Sequence, residues 1–264
     1  MSSKYVLYQD ASIHYTIQGK GIAIILLHGF ASDGSIWDNQ LSFLEENYMV
    51  IIPDIPGSGK STPLNKSTST MNDYASCIKA IIVAEKIEKF VLIGHSMGGY
   101  IALSYLEKYP TDIIALGLFH STAYSDNEVK VNMRKKAMGF ISSNGVSAFL
   151  KTSIPGLFYK PTENKLLIEK LIDRNSQIEK TTLIGYYQTI IDRPDTTHVL
   201  KDIAIPILFI AGLHDNATPC IHSIQQSILP CFSVIHILRD SSHMGMHEET
   251  AKSNEILSNF LRSI

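Results

Sequence analysis

The run Gly94-His95-Ser96-Met97-Gly98-Gly99 sets one hydroxyl between glycines. It directly follows the apolar burst Phe90-Val91-Leu92-Ile93 and directly precedes Tyr100 to Leu106, whose apolar residues repeat at helical spacing. A buried strand, a glycine-bounded serine and a helix in succession make a strained strand-to-helix turn that points the Ser96 hydroxyl out of the sheet. Glycine-x-serine-x-glycine alone fits an incidental turn; the flanking strand and helix mark Ser96 as a nucleophile.

A serine hydroxyl at its normal pKa is weakly nucleophilic, so it needs an adjacent base and a third group to orient that base. Ala211 to Pro219 follows an apolar run and offers Asp215; Arg239 to Gly245 follows the last one and offers His243, 28 residues further on. That spacing leaves room for one helix and one strand, and the order Ser96, Asp215, His243 suits a nucleophile on such a turn. The rivals are placed less well. His247 begins the closing helix, Asp240 is too near His243 in sequence to approach it from another strand end, and Asp202 precedes its strand. Attack on a carbonyl also needs donors for the oxyanion, each worth about 10²–10³ in turnover. The backbone N–H of Met97, at the helix start, is one. The second is that of Phe30, in His28-Gly29-Phe30 after Leu27, where Gly29 allows a close backbone approach. His28 itself reads as a buried, hydrogen-bonded residue holding that loop.

Positioning these groups takes a sheet. Lys4–Leu7 and Ile13–Ile17 alternate and form an edge hairpin joined at Asp10-Ala11. Ile22–Leu27, Tyr48–Ile52, Phe90–Ile93, Ile113–Phe119 and Ile205–Ala211 are continuously apolar, the pattern of strands buried on both faces in a parallel sheet. Helical patterns lie between them at about Ile36–Glu46, Met71–Glu85 and Tyr100–Lys108. After the last apolar run come a helix near Cys220–Ile228, a strand Ser233–Leu238 and a helix from about Glu248 to Leu261. The expected fold is α/β, a doubly wound, mostly parallel sheet with ligands at the carboxyl ends of its strands. Residues 1–120 and 200–264 form that core. Residues 121–199 break the rhythm and predict an inserted helical cap of three to five helices, with entries at Ser125-x-x-Glu128, Pro161-Thr162-Glu163 and Ser176-x-x-Glu179. The cap residues Tyr124, Met133, Met138, Phe140, Phe149, Phe158, Tyr186 and Tyr187 are expected mainly to pack it. The basic run Lys130, Arg134, Lys135, Lys136 reads as a solvated helix face.

At 264 residues and 45% hydrophobic, the chain can bury a substantial core, and its formal net charge of −2 gives no reason to expect a nucleic-acid or membrane partner. Cys77, Cys220 and Cys231 are an odd set without metal-ligand spacing, which suits a reducing compartment. No signal-peptide pattern opens the sequence, and Ile203–Leu213 is too short to cross a bilayer, so a cytoplasmic protein is expected. His243-x-x-x-His247 lacks the glutamate that a zinc protease places between its histidines, and Gly57-Ser58-Gly59-Lys60-Ser61 lacks the gap of a phosphate loop. No metal and no cofactor are expected; the partner is a small acyl substrate.

Taken in order, His28-Gly29-Phe30, Asp54-Ile55-Pro56-Gly57-Ser58-Gly59-Lys60-Ser61, Gly94 to Gly99, Gly212 to Pro219 and Ser242-His243-Met244 resemble the α/β-hydrolase superfamily. Within it the chain is similar to the small capped bacterial esterases, enol-lactone hydrolases and C–C bond hydrolases. The resemblance covers nearly all of the chain except the cap. It implies Ser96 as nucleophile, Asp215 as orienting acid, His243 as base, Phe30 and Met97 as oxyanion donors, and a structural role for the Asp54–Ser61 turn. Serine at the turn departs from the dehalogenases and epoxide hydrolases, which hold an aspartate there. The expected activity is cleavage of a small carboxylic ester through an acyl-enzyme. The alternatives are diketone (C–C) or enol-lactone hydrolysis by the same residues, an oxidative or perhydrolytic side activity, and a ligand-binding protein without turnover.

Overall fold

The computed structural model describes residues 2–66, 68–201 and 203–264; Asp202, weighed above as an acid, lies outside the described residues. The chain opens with the hairpin β1 (Ser2–Tyr8) and β2 (Ala11–Gln18), turned by Gln9-Asp10 with Gln9 at φ +55°. Strands and helices then alternate: β3 (Ala23–Leu27), α1 (Asp38–Leu44), β4 (Met49–Pro53), α2 (Met71–Ala84), β5 (Phe90–His95), α3 (Met97–Lys108) and β6 (Ile113–Phe119). Next comes a helical stretch of α4 (Glu128–Asn144), α5 (Val146–Ser153), α6 (Lys165–Asn175), α7 (Lys180–Asp192) and the short α8 (Thr197–Leu200). The chain then returns through β7 (Ile207–Gly212), α9 (Cys220–Gln226), β8 (Ser233–Leu238), α10 (Gly245–Glu248) and α11 (Thr250–Arg262).

Among the described residues the strands form one sheet in the order β1-β2-β4-β3-β5-β6-β7-β8. β2 pairs antiparallel with both β1 and β4, and the remaining pairs, from β4-β3 to β7-β8, are parallel. The continuously apolar runs occupy the centre, and β3, β5 and β7 are buried at every residue. Ile25, Leu92 and Leu116 are wholly buried in this layer, each worth about 1.5–3 kcal/mol of burial. Parallel pairing brings the carboxyl ends of β3, β5, β6, β7 and β8 to one edge of the sheet, where Phe30, Ser96, Asp215 and His243 all emerge.

The structure moves several expected helix starts. Thr70 and Asp73 form a reciprocal capping box on α2. Neither anticipated box in the insertion forms. Asn127 caps α4 by accepting the Lys130 N–H over 3.0 Å, a competitor two residues after Ser125. Ser176 ends α6, and α7 follows extended backbone at Glu179 with no side-chain cap. The entry near Pro161 falls short too, since α6 begins at Lys165. His247 lies on the separate short helix α10 rather than opening α11.

Candidate functional site

Ser96 is the single residue between β5 and α3, at φ +52°, ψ −116°, a left-handed conformation that a side chain rarely adopts. Hydrogen bonds hold it there. Its N–H donates to the Phe119 carbonyl over 3.0 Å, and its own carbonyl accepts from Gly99 N–H over 2.9 Å and from the Ser121 hydroxyl over 2.8 Å. The glycines make room for this strain. A Cβ at Gly98 would stand 2.5 Å from the Leu27 carbonyl oxygen, and one at Gly94 would stand 2.2 Å from that of Gly98. The Ser96 hydroxyl has no hydrogen-bond partner among the described residues.

Asp215 leaves β7 in a tight turn. Its Oδ1 accepts the N–H groups of Ala217 and Thr218, both over 2.8 Å, and its Oδ2 lies 2.8 Å from Nδ1 of His243. Burial would raise this carboxyl's pKa. The facing His243 ring with its hydrogen bond, and the nearby His120 ring, outweigh burial and hold it well below the usual carboxylate range. The loop that carries His243 is tied down at its backbone: His243 N–H donates to the Leu157 carbonyl, and its carbonyl accepts Nε2–H of His95, each over 2.9 Å. The N–H groups of Phe30 and Met97 find no acceptor among the described residues.

Ser96 and His243 border a cavity of about 180 Å³ between the sheet edge and the inserted helices. Its core-side wall includes Phe30, Ala31, Tyr100, Thr218 and Met244; the opposite wall includes Arg134, Phe149, Leu157, Leu171, Tyr187 and Ile190. Met97 is not in the wall, and its side chain is fully buried. A profile of the family described as alpha/beta hydrolase fold matches residues 22–250.

The chain belongs to the α/β-hydrolase fold family.

It is 25% identical to the 2-hydroxy-6-oxo-6-phenylhexa-2,4-dienoate hydrolase of Comamonas testosteroni, over 96% of this chain and 92% of that one. Among solved structures it resembles a thermophilic esterase from Thermogutta terrifontis, at TM-score 0.92 and 22% identity over 100% of this chain and 99% of that one. It also resembles the enol-lactonase from Burkholderia xenovorans LB400, at TM-score 0.90 and 20% identity over 98% and 100% of the two chains.

In this α/β hydrolase a different serine, histidine and aspartate stand in line at hydrogen-bond distance. Ser3 Oγ stands 2.8 Å from Nε2 of His14, whose Nδ1 stands 2.8 Å from Oδ2 of Asp54. Hydrogen-bond distances therefore do not single out a nucleophile. Ser3 lies on the exposed edge strand β1, whereas Ser96 has the strained turn, the cavity and two unpaired N–H groups beside it. Asp54 is further occupied in accepting the N–H groups of Gly34 and Lys60, each over 2.9 Å. His28 is fully buried; its Nε2 accepts the Ile55 N–H over 2.9 Å, and burial lowers its pKa.

Two expectations for the inserted helices need correcting. The basic run is not a uniformly solvated face. Arg134 pairs with Asp126, lies over the Tyr187 ring and borders the cavity, while Lys130 donates to the Ala217 carbonyl over 2.8 Å. Met133 and Phe140 do not pack but stand exposed, because α4 buries only Ile141 fully. Sequence reading also missed His120, which follows β6 with its ring buried against Asp215. Its only signal was a polar residue just after a buried strand that shares its sheet edge with Ser96.

Proposed function

We propose that this α/β hydrolase is a serine hydrolase cleaving a small carboxylic ester, with residues 121–199 as a cap over the site. The observation that carries this reading is Ser96. It is a hydroxyl in a left-handed turn on the wall of an apolar cavity, with the Asp215-backed ring of His243 in the same wall. Ser96 Oγ attacks the acyl carbonyl while Nε2 of His243 takes its proton, and Asp215 holds the ring through Nδ1–H. The oxyanion sits against the N–H groups of Phe30 and Met97. His243 returns the proton to the leaving alcohol; water, activated by the same ring, then releases the acid and frees Ser96. The Ser96–His243 hydrogen bond forms on substrate binding, as such bonds in free enzymes commonly do. The free cysteines Cys77, Cys220 and Cys231 fit the expected cytoplasmic setting, and no described helix is long and apolar enough to cross a membrane.

The test is turnover of p-nitrophenyl butyrate. The wild-type protein should hydrolyse it through many cycles, and Ser96→Ala should lose nearly all of that activity with unchanged circular dichroism. A wild-type protein that binds esters without turnover would favour the ligand-binding alternative.

One observation favours a second reading, hydrolysis of an acid-bearing diketone or enol-lactone by the same residues. Among the described residues lining the cavity, Arg134 is the one with a permanent positive charge, 21% exposed, and the Asp126 that pairs with it is shared with Arg193. Two guanidiniums on one carboxylate leave a net positive charge that suits a substrate carboxylate. Relative turnover of a ring-cleavage dienoate and of matched neutral esters decides between the two readings.

A further inference from the structure

The geometry points to His120 as a positioning residue that donates a second imidazole hydrogen bond to Asp215 and so fixes the acid against His243. This rests on the roles given to Asp215 and His243 above.

His120 is completely buried and follows β6 at φ +47°, a strained conformation for a residue with a side chain. Its Nδ1 lies 3.2 Å from Oδ2 of Asp215, the same oxygen that faces His243 at 2.8 Å. Its other ring nitrogen lies 3.2 Å from the N–H of Gly245, two residues past His243, and its carbonyl accepts the Thr218 hydroxyl over 2.9 Å. The ring thus touches the acid and the base's loop, and the same residue's carbonyl holds the acid's turn.

The proton on the ring can be assigned. Nδ1 stands 3.1 Å from the Gly212 nitrogen, so backbone N–H groups approach both ring nitrogens. A doubly protonated ring would face a donor on either side, and burial likewise lowers its pKa. The ring is therefore neutral, with two tautomers open to it. With the proton on Nε2, a bare Nδ1 would face a buried carboxylate and Gly245 would lose its acceptor. With the proton on Nδ1, the ring donates to Asp215 and accepts from Gly245, leaving only the neutral Gly212 N–H unserved. A charge-assisted bond is roughly twice as strong as a neutral one, so the Nδ1–H form prevails.

Two imidazoles on one oxygen spread its negative charge. Without His120, that oxygen would hold the Nδ1–H of His243 more tightly and favour the imidazolium, which cannot act as a base. The other charged or titratable neighbours are His95 at the end of β5, Glu249 before α11 and Lys130 on α4. All three stay in place in the variants below.

Two measurements test the proposal. Nitrogen-15 chemical shifts of the His120 ring in the wild-type protein should show Nδ1 protonated and Nε2 bare; the reverse tautomer overturns it, whatever the protein's activity. The pH profile of kcat/KM on p-nitrophenyl butyrate supplies the second. His120→Leu should lower kcat and move the acid limb to higher pH by about 0.5 unit or more. His120→Asn, whose amide can stand in for Nδ1–H and which tolerates a left-handed backbone, should keep the limb near its wild-type place. An unmoved limb in the leucine variant, or an asparagine variant that shares its shift, overturns the proposal. If the leucine variant fails to fold, the asparagine limb and the tautomer decide. A wild-type protein without ester turnover would instead remove the hydrolase reading and leave the tautomer result standing.

Discussion

His95 donates its Nε2–H to the main-chain carbonyl of His243 over 2.9 Å, so the residue before Ser96 anchors the loop that carries His243. The bond fixes the tautomer: Nδ1 of His95 is bare, buried and without a partner. Burial first, then the nearby His243 and His120 rings, push the His95 pKa well below the usual imidazole range, so the ring stays neutral. His95→Ala would strand a buried carbonyl, at a cost of about 1–3 kcal/mol, and loosen the loop. Urea unfolding should show that loss, together with a kcat lower than the folded fraction explains.

Asp215→Asn tests the acid. Oδ1 accepts two backbone N–H groups and Oδ2 faces two imidazoles, so an amide NH2 put in place of either oxygen loses an acceptor and meets donors or bare ring nitrogens. Turnover should fall by about 10⁴, as when the triad aspartate of a serine protease is replaced, with the Tm changed far less. A loss under tenfold would point to a different carboxylate.

Gly98→Ala tests the turn. The new Cβ would meet the Leu27 carbonyl at 2.5 Å, and main chain cannot swing aside as a side-chain tip can. We expect about 3 kcal/mol of destabilisation, the upper end for overpacking, read as a lower urea midpoint. By contrast, Gly139→Ala on α4, where a Cβ meets nothing within 4 Å, should be neutral or slightly stabilising.

Stability should fall with acid below about pH 6.5, where an ordinary imidazole titrates. Burial lowers the native pKa values of His28, His95 and His120, and takes His247 down to about 4. Below pH 6.5 the unfolded chain binds protons that these native histidines refuse. Each then removes about 1.4 kcal/mol per pH unit, until the pH reaches its native pKa. Asp215, depressed rather than raised in basicity, adds a further loss below about pH 4, where its unfolded form protonates. The Tm should therefore drop steadily from pH 7 to pH 5; a flat Tm across that range contradicts the burial of these rings.

The parts legible in the sequence are those that local chemistry dictates. Continuous apolar runs such as Phe90–Ile93 can satisfy their backbone only in a covered parallel sheet, and a serine flanked by Gly94 and Gly98 after such a run has few alternatives. Asp215 and His243 could be placed because each follows a strand of that sheet. His120 could not, since its value depends on three loops meeting, and nothing within a few residues of it signals that. The inserted helices resisted for a related reason. Whether Arg134 faces water or the cavity depends on how α4 packs against its neighbours, and Asn127 overrode the Ser125 spacing through a contact of one turn.

The most direct test of the account is the site of covalent labelling. The protein should be treated with a fluorophosphonate and the adduct mapped by mass spectrometry in wild type, Ser96→Ala and Ser3→Ala. The account predicts one adduct, on Ser96, absent from Ser96→Ala and undiminished in Ser3→Ala, with ester turnover following the same pattern. An adduct on any other residue, or turnover that survives the loss of the Ser96 hydroxyl, would contradict it.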